Sequence, residues 1–435
     1  MQTSSNRDTW RSTVLGDVTR EVSHRIGKNV PQLRIYGVER GTGLTPTPKY
    51  VAKDISRYKK IEQGMFAYNP MRLNIGSIGY CSTSHEPGAV SPDYVVFECE
   101  SSSLDSRFMH YLTQSQQWDE WVRGAGVGSV RVRIYYRELA RMELRIPALD
   151  EQRNIASVLS SLDDKVEQNR RTVAKLEELA RAVFKAWFVD FEPVKAKAAG
   201  ATAFPGMPPD TFATLPTRFV DSELGPVPKG WERCIRRISE LEREGTLLIG
   251  DGYRAKRSEL ADTGVPFIRA GNVDGMIITE GAELLGEPAI AKAGVKRSQL
   301  WDTVFTSKGT VGRIGVVAPA TGDVVYAPQV CFWRALDPTK LSQFLLHLWM
   351  KSDAFTHQWM SVKGQTDMAD FVSLSDQRAM TILVPPPEFQ QVLDTMVRPV
   401  VERVAASTAE SAKLASLRDD LLPRLLSGRV RVNSV

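Results

Sequence analysis

Cysteine is scarce in this sequence, and its spacing excludes two kinds of site. The 435 residues contain four cysteines, Cys81, Cys99, Cys234 and Cys331, and no Cys-x-x-Cys pair. Neither a zinc ribbon nor a disulfide framework can be read from this spacing, and a reducing compartment is favoured. The five histidines also lack the spacing of metal ligands, so we expect no metal on this chain.

Long apolar runs are absent as well. No window approaches 18 uninterrupted apolar residues, and the opening residues, MQTSSNRD, contain no apolar core of a signal peptide. We therefore expect a soluble, cytoplasmic protein without a membrane partner.

Catalytic motifs are missing too. The sequence has no Gly-x-x-x-x-Gly-Lys-Ser/Thr phosphate loop. Asn69-Pro70-Met71-Arg72 lacks the second proline and the aromatic residue with which amino-methyltransferases hold a flipped base, so we interpret it as a turn. The glycines at 124–128 lack the spacing of a dinucleotide or S-adenosylmethionine loop. We expect a non-catalytic chain that carries no cofactor.

The charge balance leans toward a polyanionic partner. The formal net charge is +5, and residues 1–60 hold 12 Lys and Arg against 5 Asp and Glu. Such an excess favours nucleic acid without proving it. The length suggests roughly two to four domains.

A repeat with a period of about 238 residues is the main positive feature. Gln152 recurs as Gln390, and Ile146-Pro147 recurs as Val384-Pro385. The apolar positions that follow are matched in the same way: Ile155, Leu159, Leu162, Val166, Leu176, Val183 and Trp187 correspond to Leu393, Val397, Val400, Val404, Leu414, Leu421 and Leu425. A duplicated unit predicts pseudo-two-fold symmetry.

Two long helices are predicted, over 149–188 and 388–426. Apolar residues in the first alternate at spacings of four and three, interrupted by Asn169, and Ser407 takes the equivalent place in the second. Each helix would be about 55–60 Å long. The matched seams favour an antiparallel coiled coil within the chain; the alternative is that each helix pairs with another protein.

Two mixed segments precede the helices and also resemble one another. Ile75-Gly76-Ser77-Ile78-Gly79 matches Val311-Gly312-Arg313-Ile314-Gly315. Two related heads on a long spacer could read two short stretches of duplex, and because their loops differ, the target should be asymmetric and bipartite. The predicted order is a first domain (1–145), a first helical region (146–191), a connector rich in Pro, Gly and Ala (192–225), a second domain (226–383) and a second helical region (384–435).

Three blocks carry a resemblance to a known family. They are Phe184-Lys185-Ala186-Trp187-Phe188-Val189-Asp190-Phe191, then Ser222-Glu223-Leu224-Gly225 with Pro228-Lys229-Gly230-Trp231, and the closing Leu421-Leu422-Pro423-Arg424-Leu425-Leu426-Ser427-Gly428. Together with the duplicated layout, they resemble the specificity subunits of type I restriction–modification systems over essentially the whole chain. One departure is Phe389, which stands where the first repeat has Glu151.

The resemblance implies an α+β fold with two target-recognition domains separated by two long helices in an antiparallel, pseudo-two-fold coiled coil. It implies a non-catalytic subunit that recognises double-stranded DNA. In that family two modification subunits carrying S-adenosylmethionine dock on the helices and methylate adenine, and restriction subunits that use ATP and Mg²⁺ cleave unmethylated DNA. Two alternatives remain open: an orphan DNA-binding regulator without enzymatic partners, and a methyltransferase with a degenerate motif.

Candidate DNA-contacting residues are basic or amide side chains in predicted loops, because phosphate and base-edge contacts use these groups. Those of the first domain are Arg34, Arg40, Lys49, Lys59, Lys60, Asn69, Arg72, Asn74, Arg131 and Arg133. Those of the second domain are Tyr253, Arg254, Lys256, Arg257, Arg269, Asn272, Lys308, Arg313, Lys363 and Gln365. Gly126 and Gly364 correspond in the repeat, so their loops should be equivalent. For partner docking we predict the apolar cluster Phe184, Trp187 and Phe188.

Overall fold

A computed structural model describes residues 10–28, 33–46, 48, 50–125, 133–365 and 370–432. The chain divides into two compact units. Unit 1 comprises residues 1–167 and 412–435, and unit 2 comprises residues 168–411. Each unit therefore contains one mixed domain and part of each long helix.

The helices are named in chain order. They are α1 Leu15–Val18, α2 Ser106–Leu112, α3 Gln116–Gly124, α4 Tyr136–Leu139, α5 Leu149–Phe188, α6 Glu192–Ala198, α7 Pro209–Thr214, α8 Ile238–Arg243, α9 Glu287–Ala293, α10 Gln343–Met350, α11 Asp353–Val362, α12 Leu374–Ala379 and α13 Pro387–Leu426.

The strands of unit 1 are β1 Arg11–Val14, β2 Thr19–Glu21, β3 Arg34–Glu39, β4 Gly43–Thr45, β5 Lys59–Ile61, β6 Phe66–Tyr68, β7 Ile78–Tyr80, β8 Gly88–Val90, β9 Val95–Cys99 and β10 Glu143–Ile146. Those of unit 2 are β11 Phe219–Val220, β12 Val227–Pro228, β13 Ile235–Arg237, β14 Leu247–Gly250, β15 Leu260–Ala261, β16 Val265–Ile268, β17 Val273–Ile277, β18 Glu283–Leu285, β19 Thr303–Thr306, β20 Ile314–Val316, β21 Val325–Tyr326, β22 Val330–Ala335, β23 Gly364–Gln365, β24 Asp370–Phe371 and β25 Thr381–Leu383.

The two predicted long helices are confirmed as α5 and α13, each of 40 residues. In unit 1, Leu159 of α5 shares a core with Leu425 of α13, and Asp163 hydrogen bonds to Arg418. From the first contact to the second, the residue number increases along α5 and decreases along α13, so the two segments are antiparallel. The same holds in unit 2, where Asn169 of α5 donates to Glu410 of α13.

In unit 2 the far ends of these helix segments meet around one aromatic ring. Phe188 of α5 and Phe389 of α13 both pack against Trp231. The predicted intrachain pairing is therefore present within each unit, and the α+β fold class is confirmed.

The mixed domain of unit 1 contains two four-stranded sheets. The first has the order β2-β9-β6-β7 and is antiparallel throughout. The second has the order β4-β3-β8-β5, in which β3 and β8 are parallel. Alternating apolar side chains bury the first sheet against α2 and α3; Phe66 stacks on Phe97 with ring centroids 4.9 Å apart.

The mixed domain of unit 2 repeats this topology in its first sheet but not in its second. Its first sheet has the order β14-β22-β19-β20-β17, in which the first four strands match those of unit 1 and β17 adds a parallel edge. Its second sheet has the order β15-β18-β16-β21, in which the parallel pair, β16 and β21, lies at one edge, whereas the parallel pair of unit 1 lies in the middle of its sheet. The topology therefore supports the predicted duplication, although little of it could be read residue by residue.

A short two-stranded sheet closes each mixed domain just before its long helix. In unit 1 β1 pairs antiparallel with β10, with Arg11 opposite Ile146. In unit 2 β13 pairs antiparallel with β25, with Ile235 opposite Leu383. Each mixed domain thus begins and ends at adjacent strands.

The segment predicted as a connector is folded onto unit 2. Helices α6 and α7 lie within it, and Val194, Phe212 and Leu215 are buried in the same core as Trp187. None of the described helices is both long and apolar enough to cross a membrane.

Candidate nucleic-acid interface

In unit 1 the loop between β6 and β7 is a rigid turn that displays polar side chains. The Asn69 side chain accepts a hydrogen bond from the Met71 amide (3.0 Å), and the Asn69 carbonyl accepts one from the Arg72 amide (2.9 Å). Gly76 closes the turn in the left-handed conformation, with φ of 84°, where glycine is favoured. Arg72 and Asn74 are exposed on this loop. The predicted turn at residues 69–72 is therefore confirmed.

Two more predicted arginines lie beside this loop. The side chain of Arg40 approaches Gly76, where an added Cβ would be 3.8 Å from Arg40 Cγ. The chain next to exposed Arg133 is held by a hydrogen bond from the Ile134 amide to the Pro70 carbonyl (3.0 Å). Four basic or amide side chains, Arg40, Arg72, Asn74 and Arg133, are thus gathered at one edge of the unit.

In unit 2 the equivalent loop, between β19 and β20, carries exposed Lys308 and Arg313. Gly312 has φ of 102°, and an added Cβ would lie 2.8 Å from the ring of Trp359, so only glycine fits this turn. The Val372 amide donates to the Ser307 carbonyl (2.9 Å), as Ile134 does to Pro70 in unit 1. The two edges are therefore built alike.

Arg313 contacts the turn that carries two other predicted residues, Arg269 and Asn272. Its Nη1 donates to the carbonyls of Ala270 (3.5 Å) and Val273 (3.4 Å), which flank Asn272. Arg269, immediately before this turn, lies over the ring of Phe267 and pairs with Glu283 at 2.6 Å. Both arginines keep exposed guanidinium surface.

Lys363 is anchored to the same edge. Its Nζ lies 2.7 Å from a carboxylate oxygen of Asp370. The backbone of Lys308 forms an isolated antiparallel β-bridge with Phe371 of β24. The edge therefore brings together Arg269, Asn272, Lys308, Arg313 and Lys363.

A second predicted group of unit 2 lies in the loop after β14. The Tyr253 amide donates a hydrogen bond to the Tyr326 carbonyl (2.6 Å), and the Tyr253 hydroxyl donates one to the Glu259 carboxylate. Arg254, Lys256 and Arg257 are exposed beside it. Among the described residues, no side-chain hydrogen bond or ion pair joins this group to the Arg313 edge, so we treat it as a separate basic loop.

Three predicted residues of unit 1 lie in the second sheet and already have partners. Arg34 pairs with Glu86 at 3.1 Å, Lys59 donates to the Tyr94 carbonyl at 2.6 Å, and Lys60 pairs with Glu62. Burial lowers the pKa of Lys59. Lys49, Arg131, Gly126 and the side chain of Gln365 lie outside the described residues.

The apolar cluster predicted for docking is not on the surface. Phe184, Trp187 and Phe188 are each less than 7% exposed and belong to the core of unit 2. Phe188 and Trp231 stack with centroids 6.4 Å apart. The prediction that these side chains meet a partner is corrected, because they hold the segment after α5 against the helix pair.

Sequence reasoning missed a pair of exposed leucines on the long helices. Leu179 of α5 and Leu417 of α13 are 52% and 46% exposed and occupy equivalent places in the repeat. Each belongs to a short identical block, Ala174-Lys175-Leu176-x-x-Leu179 and Ala412-Lys413-Leu414-x-x-Leu417. The signal was in the repeat: outside this block, the aligned helices are identical only at Gln152/Gln390 and Val166/Val404.

No group of three or more His, Cys, Asp or Glu side chains among the described residues could hold a metal ion. Two titratable side chains lie in the core of unit 2. Burial lowers the pKa of His347 to about 3, and the buried Tyr326 hydroxyl donates a hydrogen bond to Asp302.

Comparisons with known proteins agree on one family. Residues 47–178 match the family model of the type I restriction modification DNA specificity domain. The chain is 23% identical to the type I restriction enzyme HindI specificity subunit of Haemophilus influenzae, over 97% of this chain and 99% of that protein. It is 25% identical to the MjaIX specificity subunit of Methanocaldococcus jannaschii, over 76% of this chain and 70% of that protein.

A solved structure has the same fold. The crystal structure of a type I restriction–modification S subunit from M. genitalium superposes with a TM-score of 0.58 at 13% identity, covering 100% of this chain and 99% of that one.

Proposed function

We propose that this chain is a specificity subunit of a type I restriction–modification system and that it reads an asymmetric, bipartite DNA site as the recognition subunit of such a complex. The chain recognises DNA and is not itself the enzyme. Catalysis belongs to partner subunits.

One observation carries the bipartite reading. Both units expose a loop of the same construction, β6–β7 in unit 1 and β19–β20 in unit 2, but with different side chains. Unit 1 offers Arg72 and Asn74, whereas unit 2 offers Lys308 and Arg313. Paired donors of these types can read base edges in the major groove, so unlike loops should select unlike half-sites.

We place the docking of two modification subunits on the repeated helix block rather than on Phe184, Trp187 and Phe188. A single exposed leucine is ordinary on a protein surface, but an exposed leucine within the same short block at equivalent places on both helices favours a common use. Two equivalent surfaces suit two copies of one partner. Exposed Lys175 and Lys413 would add a matched positive charge beside each leucine.

S-adenosylmethionine would be carried by the modification subunits, and ATP and Mg²⁺ by restriction subunits, if such subunits join. Equilibrium binding of S-adenosylmethionine to the isolated chain tests the remaining methyltransferase alternative; saturable binding would contradict a purely recognising subunit.

The deciding experiment maps methylated adenines in cells that express this chain with a type I modification subunit. The expected result is one motif with two unlike halves separated by a fixed gap, and no such motif without this chain. A stable complex that methylates no defined motif would overturn the proposal. A chain that binds DNA yet stays alone despite excess modification subunit would favour the orphan regulator.

The docking surface is tested with Leu179→Asp and Leu417→Asp. Each single variant should reduce the number of modification subunits that co-purify from two to one, and the double variant to none. Leu224→Asp is the matched control, because Leu224 is a 45% exposed leucine outside the long helices. Unchanged stoichiometry in the double variant would exclude this surface.

A further inference from the structure

A buried glutamine in the first turn of α5 is saturated by contacts with the mixed domain. Gln152 is fully buried. Its Oε1 accepts a hydrogen bond from the Asp105 amide (2.9 Å), and its Nε2 donates to the carbonyls of Ser103 (3.0 Å) and Pro147 (3.0 Å). Both amide protons and the carbonyl oxygen of one side chain are thereby used.

The same arrangement recurs in unit 2. Gln390, in the first turn of α13, accepts from the Ser342 amide (2.8 Å) and donates to the carbonyls of Lys340 (3.1 Å) and Pro385 (2.6 Å). Every partner is the repeat equivalent of one in unit 1. We call Gln152 and Gln390 with these partners the glutamine clamps.

Each clamp grips a defined point of the mixed domain. Asp105 is the N-cap residue of α2, and Ser342 is the N-cap residue of α10. These helices follow β9 and β22, which are interior strands of the first sheets. A clamp therefore connects the start of a long helix directly to the framework that carries the loops of the candidate interface.

Preservation of the clamps is notable against the divergence around them. Only six of the 40 aligned helix positions are identical, and the clamp glutamine is one of them. A seam position can exchange Leu for Val or Ile because packing tolerates it. A side chain that must supply two donors and one acceptor at fixed places can be replaced by few others, because buried polar groups without partners are costly.

We propose that the glutamine clamps set the orientation of each recognition domain on its helix and thereby the gap length that the protein accepts between half-sites. This rests on the proposed function, since it assigns Gln152 and Gln390 as positioning residues for bipartite recognition. The clamps do not touch DNA; they determine where the reading loops are held.

The variants Gln152→Glu and Gln390→Glu test this with little change in size. The carboxylate keeps the acceptor but loses both N–H donors and sets a negative charge against two carbonyl oxygens. Gln168→Glu and Gln391→Glu are the matched controls, because both glutamines are exposed on the same two helices.

The measurement uses the full chain in complex with its modification subunit and duplexes that contain the mapped site. Dissociation constants are compared for the native gap and for gaps shortened or lengthened by one base pair. The wild-type and control complexes should bind the native gap more tightly than the altered gaps. In each clamp variant the ratio of these dissociation constants should fall roughly tenfold, because the recognition domain would adopt several orientations instead of one. The base preference within each half-site should be unchanged.

The outcomes separate the two levels of the argument. A wild-type complex indifferent to gap length overturns the bipartite proposal itself. A wild-type preference that the clamp variants retain, with only a lower melting temperature, overturns the positioning role and leaves the glutamines structural. Should a Glu variant not fold, Gln152→Met and Gln390→Met, which are similar in length and uncharged, are measured in the same way.

Discussion

Asp163 of α5 accepts a hydrogen bond from Arg418 of α13, with 2.7 Å between Asp163 Oδ1 and Arg418 Nη1, and its second oxygen accepts one from the Tyr111 hydroxyl at 2.7 Å. One carboxylate thus connects both long helices to α2 within unit 1. Burial and this contact raise the pKa of Tyr111.

Replacing Asp163 with Ala should lower the free energy of unfolding of unit 1 by about 1–2 kcal/mol, because the buried tyrosine hydroxyl loses its acceptor while the partly exposed ion pair adds little. Urea denaturation followed by tryptophan fluorescence measures this. Asp164→Ala, at the exposed neighbouring position, is the control. Equal losses in the two variants would contradict the role of Asp163.

Asn169 occupies the helix seam of unit 2, where its Nδ2 donates to Glu410 at 2.8 Å. Because Glu410 is exposed, water can replace the amide, whereas a leucine would fill the seam with apolar atoms. Asn169→Leu should therefore raise the stability by about 1 kcal/mol, or roughly 2–4 °C in Tm. Calorimetry of this variant beside Gln168→Leu, an exposed substitution on the same helix, tests it. A fall in Tm would show that the amide contributes more than packing.

Asp302 and Arg334 form the most buried ion pair described in unit 2, with side chains 1% and 6% exposed. Asp302 also accepts from the Tyr326 hydroxyl and the Gln299 amide. Asp302→Ala should cost about 3–5 kcal/mol, because it leaves a buried guanidinium uncompensated. The double variant Asp302→Leu with Arg334→Met should lose less than the single one. A double variant as unstable as the sum of both single variants would mean that the charges act independently.

His347 predicts an acid-sensitive part of the stability. Burial, with a contribution from Lys351, lowers its pKa to about 3, whereas an unfolded histidine has a pKa near 6.5. Between these values the unfolded chain binds more protons, so this stability is present above about pH 6.5 and is lost as the pH falls toward 3. The slope is at most about 1.4 kcal/mol per pH unit.

His347→Leu should flatten the dependence of the unfolding free energy on pH between 6.5 and 4.5, as measured by urea denaturation at several pH values. His357→Leu, at an exposed position in the same unit, should leave the slope unchanged. An identical slope in the His347 variant would contradict the assignment.

The basic residues at the candidate interface of each unit predict losses of DNA affinity that are specific to one half-site. Arg313→Ala or Arg269→Ala should weaken recognition of one half-site, and Arg72→Ala that of the other, by about 1–3 kcal/mol per base contact. Binding is measured on duplexes in which one half-site at a time is altered. Arg243→Ala, an exposed substitution away from the edges, is the control. A uniform loss at both half-sites would argue for phosphate contact alone.

The long helices were the most predictable part of the fold. Their apolar spacing sets the buried face directly, so α5 and α13 agree with the predicted bounds to within one residue. The order of strands in each sheet is less predictable, because it depends on contacts between distant residues. Nothing in local spacing places β17 parallel to β20.

The candidate interface was predicted in part, for a related reason. Exposed charge can be guessed from residue type, and Arg72 and Arg313 do lie on surface loops. Residue type does not say which basic side chains already have partners, as Arg34 does in Glu86. Nor does it distinguish an apolar cluster that meets a partner from one that seals a core, which is why Trp187 was misassigned.

The chain enters and leaves each mixed domain through two paired strands, β1 and β10 in unit 1 and β13 and β25 in unit 2. The two covalent connections of each domain therefore emerge side by side, and the domain behaves as a cassette inserted at a single place. Under the proposed function, exchange of one cassette for a homologous one would alter one half-site while the long helices stay as they are. New DNA specificities could then arise by recombination instead of gradual point mutation.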